Sequence, residues 1–153
     1  MTDLDIEDLG EEILALLTGS SMTAKIASIN TKKNDAILIE AYRGKVYGWA
    51  LDDPETPSIH VMGLQEELIR DEGTHKIVWC KYAIEIYEQG ADTQTLERLM
   101  NRYGIVTNEL LATNYSENGI VTKTDYAPTL QYESALYKVC SILFQIKAIR
   151  KKI

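Results

Sequence analysis

The sequence predicts an α+β fold, in which a single domain over residues 1–153 packs helices against an antiparallel β-sheet. Three observations support this prediction. An amphipathic helix pattern opens the chain, a long alternating segment leads directly into a second helical pattern, and a further alternating segment closes it. The predicted sheet is therefore flanked by an N-terminal helix and by the helix after its long central strand, with a closing C-terminal strand.

Residues 3–18 are the predicted N-terminal helix, and Gly19 is a plausible end for it. Its apolar positions recur at helical spacing: Leu9, Ile13, Leu16 and Leu17. Six acidic residues crowd its first turns without a basic neighbour: Asp3, Asp5, Glu7, Asp8, Glu11 and Glu12. Carboxylates suit a helix N-terminus, but capping requires fewer of them. Two interpretations stay open, a solvated helix face and an acidic surface that meets a basic partner.

Three short strands are predicted next, at residues 23–30, 36–42 and 46–51. The first is a short alternating run that ends in a polar turn. The other two flank Arg43-Gly44-Lys45, a short connection that contains glycine and is typical of a hairpin. We therefore expect these two strands to be antiparallel neighbours.

Residues 52–57 interrupt the pattern, because they hold two prolines and three carboxylates. This composition predicts a rigid, exposed loop. Its carboxylates belong to Asp52, Asp53 and Glu55, and we expect them to be solvated rather than to bind a cation. A further strand follows at residues 58–63.

Residues 76–88 are the predicted central strand. One side of the strand carries an apolar set: Val78, Cys80, Tyr82, Ile84 and Ile86. β-branched and aromatic residues are abundant, and Gly73 and Gly90 bound the segment, which favours a strand. A helix is the alternative, because Lys81 and Glu85 would then lie on one polar stripe.

Residues 92–112 are the predicted second helix, capped by Asp92 or Thr93 and either kinked or broken at Gly104. Residues 113–132 are polar and predict a long loop or arm. Such a segment is long for a loop inside a compact domain, so we expect part of it to be ordered against a partner or a neighbouring subunit.

The closing strand is predicted at residues 136–149, where apolar residues alternate. A basic tail of Arg150, Lys151 and Lys152 follows it.

The overall composition limits the classes of function. Hydrophobic residues make up 45% of the chain and charged residues 25%, which is ordinary for a soluble globular protein. The net charge of −7 disfavours nucleic-acid binding, since phosphate neutralisation requires clustered Lys and Arg. Neither a transmembrane segment nor a secretory signal is predicted, so we expect no membrane partner.

The sequence offers no pattern typical of catalysis. His60 and His75 lack partners at metal-ligand spacing and are predicted to be surface or rim residues. Cys80 and Cys140 lie in apolar runs, which predicts two reduced core thiols, with a disulfide between them as the alternative. We therefore predict a protein that is not an enzyme and has no catalytic, cofactor or metal site.

The order of the elements resembles the tail terminator (tail completion, or neck) proteins of long-tailed bacteriophages. The resemblance rests on the segment from Pro57 to Gly63, on residues 82–87 leading into the helix at 92–112, on the final strand at 139–148, and on the short N-terminal helix. It implies a non-enzymatic virion protein, made in the host cytoplasm and located in the neck or tail. Such proteins form a homo-hexameric ring on the tail tube, stop its polymerisation and receive the head connector.

Charge suggests where partners would bind. The candidate contact residues are Asp52, Asp53, Glu55, Arg150, Lys151 and Lys152. The acidic N-terminal helix of one subunit and the basic tail of the next would meet in a head-to-tail contact. The alternative function is a small acidic cytosolic partner-binding protein, such as a secretion chaperone or a toxin-immunity protein. Such a protein would be a monomer or a two-fold dimer that binds one partner.

Overall fold

The computed structural model describes residues 5–35, 37, 44–47 and 56–151. Its helices are α1 (Ile6–Leu17), α2 (Ser20–Lys32) and α3 (Thr93–Asn114). Its strands are β1 (Gly44–Tyr47), β2 (Ser58–Asp71), β3 (His75–Gly90), β4 (Gly119–Tyr126), β5 (Leu130–Tyr132) and β6 (Ala135–Lys151). These elements confirm the predicted α+β class, with α1 at the start, α3 after the long strand β3, and β6 as the closing strand.

The described strands form one sheet in the order β1-β2-β3-β6-β4, and β5 pairs with the first residues of β6. All of these pairs are antiparallel except β1 with β2, which is parallel. The helices cover one face of the sheet, where α1 packs on β2 and α3 packs on β3, β4 and β6. The apolar core lies between this face and the helices.

Strand β3 confirms the predicted central strand and excludes the helical alternative. It pairs with β2 on one side and with β6 on the other, so its backbone hydrogen bonds are made within the sheet. The predicted apolar set is buried against the helices: Val78, Cys80, Tyr82, Ile84 and Ile86. Strand β6 mirrors it with a second buried set: Cys140, Ile142, Phe144, Ile146 and Ala148.

Helix α1 confirms the predicted N-terminal helix. The Asp5 carboxylate caps it by accepting a hydrogen bond from the backbone N–H of Asp8 at 2.8 Å. The buried face of α1 consists of Leu9, Gly10, Ile13 and Leu17. The hydroxyl of Tyr82 in β3 donates to the backbone carbonyl of Ile6 at 2.6 Å, which fixes the start of α1 over the sheet.

Residues 23–30, predicted as a strand, form part of α2, so that prediction is wrong. The buried residues of α2 are Met22, Ile26 and Asn30, which are spaced four apart and share one helical face. A short run that alternates over a few residues fits both periods, and packing against α3 selects the helix. An ion pair between Lys25 of α2 and Glu109 of α3, at 2.8 Å, joins the two helices at the surface.

The predicted hairpin connection at Arg43-Gly44-Lys45 is also wrong. Gly44 and Lys45 lie in β1, which runs parallel to β2 and pairs Gly44 with Ser58. A glycine between two alternating runs marks a turn only when those runs pair with each other, and here the described partner of β1 is β2. The remaining parts of the predicted strands at 36–42 and 46–51 lie outside the described residues, apart from Ile37 and the β1 residues.

Helix α3 runs without a break through Gly104, so the single helix is the correct one of the two predicted alternatives and the break is excluded. A glycine stands at position 104 because a larger residue would overlap a side chain of the sheet. A Cβ atom at this position would lie 2.9 Å from Cζ of Tyr126 in β4, and still nearer to the Tyr126 hydroxyl. The glycine therefore lets the helix approach the sheet closely.

Residues 113–132 do not form the predicted loop or arm. Helix α3 extends to Asn114, and β4 and β5 both pair with β6 of the same chain. Gly119 allows the start of β4 to pack, because a Cβ there would lie 2.7 Å from Cζ of Phe144. Because β4 is an edge strand with many exposed residues, its sequence is polar and does not show the apolar alternation of a core strand.

Cys80 and Cys140 are free thiols, which confirms the first interpretation of the two cysteines. They lie on different cross-strand pairs, Cys80 opposite Ile146 and Cys140 opposite Ile86. Burial raises the pKa of Cys80 to about 11 and that of Cys140 to about 12. Both thiols are therefore protonated core residues rather than nucleophiles.

Candidate assembly surfaces

The most unusual surface of the protein is the outer part of the β2–β3 hairpin. We call residues 63–76 the distal hairpin. Every residue from Gly63 to Thr74 is exposed. Three of them are large aliphatic residues, with 56% of Leu64, 55% of Leu68 and 41% of Ile69 accessible to solvent. A soluble monomer rarely clusters such residues on one projecting element, so the distal hairpin is a candidate contact surface.

This hairpin is longer than the sequence predicts. Strand β2 does not end at Gly63, as predicted, but continues to Asp71 and turns at residues 72–74. At this turn, the Asp71 carboxylate accepts a hydrogen bond from the backbone N–H of Gly73 at 3.0 Å, and Gly73 has a φ of +87°. A glycine adopts this left-handed conformation without strain.

Two β-bulges shape the distal hairpin. The pairing of β2 with β3 shifts register between Gly63 and Gln65 and again between Leu68 and Arg70. The extra residues at these shifts are Leu64 and Ile69, two of the three exposed aliphatic residues. A bulge leaves its extra residue outside the regular ladder and increases the local twist. Both residues therefore lie outside the regular pairing of β2 with β3, and both are exposed.

Arg150, near the end of β6, connects the base of the distal hairpin to the rest of the sheet. Its guanidinium donates to the Glu66 carboxylate, with the Nε–Oε1 distance at 2.8 Å, and its Nη2 lies 3.2 Å from the Cys80 sulfur. Only 20% of the Arg150 side chain is exposed. This arginine thus holds β2, β3 and β6 together.

The other candidate contact residues are placed only in part. Strand β6 extends to Lys151, so two residues of the predicted basic tail belong to a strand. Lys151 is exposed and lies opposite His75 at the base of the hairpin turn. Asp52, Asp53, Glu55 and Lys152 lie outside the described residues. Of the six candidate contact residues, the structure therefore places only Arg150 and Lys151.

The acidic face of α1 divides into two groups. Asp5 caps the helix, and Glu12 accepts a hydrogen bond from the hydroxyl of Tyr115 at 3.0 Å. Burial and the Glu12 carboxylate raise the pKa of this tyrosine. Glu7, Asp8 and Glu11 are exposed, which fits both predicted interpretations, a solvated helix face and an acidic surface that meets a basic partner.

The far edge of the sheet is a second candidate surface. The outer side of β4 has no strand partner among the described residues. It exposes Ile120 and Tyr126 together with an ion pair between Lys123 and Asp125 at 3.2 Å. The pairing of β4 with β6 shifts register at Thr122, which bulges this edge as well.

His60 is buried, so the prediction of a surface or rim position is wrong for it. Strand β2 packs on both faces at this point. The Ser58 hydroxyl lies 3.2 Å from Nε2 of His60, the Tyr87 ring packs edge-on against the imidazole, and Glu85 is the cross-strand neighbour. Burial lowers the pKa of His60, against the raising effect of the Glu85 charge.

This cluster contains a serine, a histidine and a glutamate, the residue types of a hydrolytic triad, in an arrangement that differs from that of a triad. Ser58 is fully buried, and the Glu85 carboxylate is bound by the Tyr87 hydroxyl. A nucleophile needs access to substrate and a base oriented toward it by a third group. Among the described residues, Nδ1 of His60 has no hydrogen-bond partner, and Ser58 is not accessible to solvent. His75 does lie at a rim, 3.2 Å from the Glu72 carboxylate, as predicted.

A cleft with a volume of about 550 Å³ lies at the start of α3. Glu88, Asp92 and Thr95 line it with apolar Leu96 and Leu99. Within the described ranges, no group of three His, Cys, Asp or Glu side chains is arranged to hold a metal ion. In the same part of the chain, no helix is long and apolar enough to cross a membrane.

The fold and these surfaces define a small α+β protein, built on one mainly antiparallel sheet, whose distinguishing features are exposed strand edges. Comparison with family models gives no match. Comparison with curated proteins gives no match either. Among solved structures, the chain is similar to a chain in a structure described as the virion of a native gene transfer agent (GTA) particle. The identity is 10% and the TM-score 0.33, over 88% of this chain and 84% of that chain.

Proposed function

We propose that this protein is a non-enzymatic structural component of a phage-like virion, a tail terminator of the neck that caps the tail tube as a homo-hexameric ring. The observation that carries the proposal is the distal hairpin, which extends beyond the helices with Leu64, Leu68 and Ile69 exposed. A second protein chain that covers this surface would gain about 1 kcal/mol for each of these half-exposed aliphatic side chains. Assembly is therefore the function that this geometry serves best.

A ring is favoured over a single partner because the exposed apolar residues lie at both ends of the sheet. The distal hairpin occupies one end, and the β4 edge with Ile120 occupies the other. A chaperone or immunity protein that binds one target needs one such surface. Two different surfaces on one chain suit a heterologous contact, which forms a closed ring when the rotation between subunits closes.

The elements on which the resemblance to tail terminators rests are all present, as α1, the start of β2, the passage from β3 into α3, and β6. The proposed partners are other copies of this chain, the tail tube protein and the head connector, and the proposed location is the virion neck. The exposed acidic residues of α1 and the exposed Lys151 remain the proposed charged contacts, together with the four candidate residues beyond the described ranges.

Negative-stain electron microscopy of the purified chain at high concentration tests this function. We expect class averages with six-fold symmetry and a central hole. Two-fold particles, or a monomer that binds one basic protein, would favour the chaperone or immunity alternative instead.

Deletion of the gene in the producing host gives a second, independent test. A tail terminator stops tube polymerisation, so we expect tails of uncontrolled length that lack heads. Particles of normal length with heads attached would contradict the proposal even if the purified chain forms rings.

A further inference from the structure

The sheet ends in two different strand edges. On the β2 side, only residues 58–61 pair with β1, so within the described chain the outer side of the distal hairpin has no strand partner. On the β4 side, the outer edge likewise has no strand partner among the described residues. An unpaired edge that also exposes aliphatic residues is a template for pairing with another chain. Natural proteins usually protect such edges with charge, and here the protection is incomplete.

We propose that the outer edge of β2 in the distal hairpin pairs with the outer edge of β4 in a second copy of this chain. The sheet then continues from one subunit to the next. This inference deepens the proposed ring and rests on it, because it names the two elements that make the contact between subunits. It concerns a contact that the purified chain makes without any other protein.

The direction of this pairing follows from the topology. Because β2, β3, β6 and β4 are each antiparallel to the next, β2 and β4 run in opposite directions. A rotation about an axis parallel to the strands preserves strand direction, so the β4 of the neighbour also runs antiparallel to β2. Antiparallel ladders are the more stable kind of pairing. The helices of both copies then stay on the same face of the extended sheet.

Charge complementarity selects a register. Glu67 lies opposite Trp79, and Lys123 lies opposite Leu143, which puts both side chains on the face of the sheet away from the helices. The Glu67 side chain is 50% exposed and the Lys123 side chain is 61% exposed, although each has a partner in its own chain. Directly opposite charges stabilise a cross-strand pair.

The same register places apolar residues together. With Lys123 opposite Glu67 and Thr122 bulged, Val121 reaches Leu68, and Ile120 reaches Ile69. Leu68, Ile69 and Ile120 are all exposed in the single chain. Antiparallel pairing in this register therefore covers the aliphatic residues of both edges at once.

Disulfide trapping between two single-cysteine variants tests this contact. Glu67→Cys is made in a tagged chain and Lys123→Cys in an untagged chain, so that the mixed dimer has a mass of its own. Directly opposite residues in an antiparallel pair have Cβ atoms about 4.5–5.5 Å apart, close to the range that a disulfide spans. Cys80 and Cys140 are buried and stay in place. We expect the 67–123 product to form on mild oxidation and to disappear on reduction.

A matched control replaces Glu67→Cys with Glu97→Cys, which lies exposed on α3. Glu97 is on the helical layer rather than at an edge, so no mixed product should accumulate with Lys123→Cys. Sedimentation of the unmodified chain in the same buffer measures its assembly.

The outcomes separate this contact from the proposed function. Rings without the 67–123 product would overturn the edge pairing and leave the tail-terminator proposal standing. The 67–123 product from a chain whose gene deletion leaves tails and heads normal would support the pairing and remove the proposed function. Products that join 67 to 67 or 123 to 123 alone would show a two-fold contact and overturn the inference, and so would a chain that stays monomeric at every concentration.

Discussion

The guanidinium of Arg102, buried in α3, donates one hydrogen bond to Asn30 in α2 and another to Asp35 just after it. Arg98 lies near the same Asp35 carboxylate at 3.6 Å. Asn30 in turn donates to the backbone carbonyl of Ile37 at 2.9 Å. This network joins the second helix, the chain that leaves it and the third helix at one point of the structure.

Substitution of Arg102→Met should lower the free energy of unfolding. Methionine fills a similar volume but leaves the buried carboxamide oxygen of Asn30 without a donor, which costs on the order of 1–3 kcal/mol. Urea denaturation followed by circular dichroism measures the change. Arg98→Met is the matched control, because Arg98 is half-exposed and its ion pair contributes little. Equal stability of both variants would contradict this account.

The same network should make stability depend on acid pH. The hydrogen bond and charge of Arg102 hold the pKa of Asp35 below its usual 3.8. Because the folded pKa is the lower one, the stabilisation is present above pH 3.8 and is lost as the pH falls through the folded value. Thermal unfolding of the Arg102→Met variant between pH 6 and about 2 should show a shallower loss of stability than wild type. Parallel curves would contradict the assignment to Asp35.

Substitution of Gly104→Ala should destabilise the protein, although alanine is the better helix former by about 1 kcal/mol. The added methyl group would overlap the Tyr126 ring, and overpacking of this kind costs typically about 1–3 kcal/mol. A double-mutant cycle with Tyr126→Ala measures the effect. In the Tyr126→Ala background, Gly104→Ala should become neutral or stabilising. A destabilisation of equal size in both backgrounds would remove the steric explanation.

The two core thiols should be unreactive in the folded protein. With pKa values near 11 and 12, Cys80 and Cys140 hold almost no thiolate at pH 8. Ellman's reagent should therefore label neither residue in native buffer and both in urea. Rapid labelling of the native protein would contradict the burial of these residues.

Replacing the exposed aliphatic residues should separate stability from assembly. The triple variant Leu64→Ser, Leu68→Ser and Ile69→Ser changes residues that are exposed in the single chain, so each change should alter its stability by no more than about 0.5 kcal/mol. If these residues are buried between subunits, self-association should weaken by about a hundredfold or more. Analytical ultracentrifugation measures the self-association, and urea denaturation measures the stability. Unchanged association would exclude the distal hairpin as a contact.

Charge reversal at the end of β6 should act by two different routes. Lys151→Glu with Lys152→Glu should leave the fold intact and weaken head-to-tail assembly about fivefold, as expected for charges at the rim of a contact. Arg150→Glu should instead destabilise the subunit, because it places a second carboxylate against Glu66. Sedimentation distinguishes the two effects when read beside thermal unfolding. Wild-type assembly of the double variant would remove the charge contribution.

Long, strongly periodic segments were predictable from the sequence, and short ones were not. In β3 and β6, alternation continues over many residues, so only one period fits. In α2, the pattern that selects a helix depends on Met22, Ile26 and Asn30, and Asn30 is buried only because Arg102 lies far along the chain to bind it. Local sequence does not contain that partner.

The candidate surfaces could be predicted only in part for the same reason, because they depend on residues that are distant in the sequence. Leu64, Leu68 and Ile69 follow Gly63, where the alternation of β2 ends, and the bulges that expose them are a property of the pairing with β3. Residues 113–132 had no apolar period because β4 is an edge strand. In both cases, neighbours in the sheet determine the role of the segment.

The position of strand β6 near the end of the described chain also determines when the sheet can finish folding. It is the only described partner of β4 and of β5, and it provides the second partner of β3. During synthesis, α1, α2 and the β2–β3 hairpin leave the ribosome long before Lys151 does. The sheet therefore completes only after translation of the described chain has ended, through pairings between residues distant in sequence, which slow folding. A nascent chain halted before Ala135 should remain a substrate for chaperones and proteases.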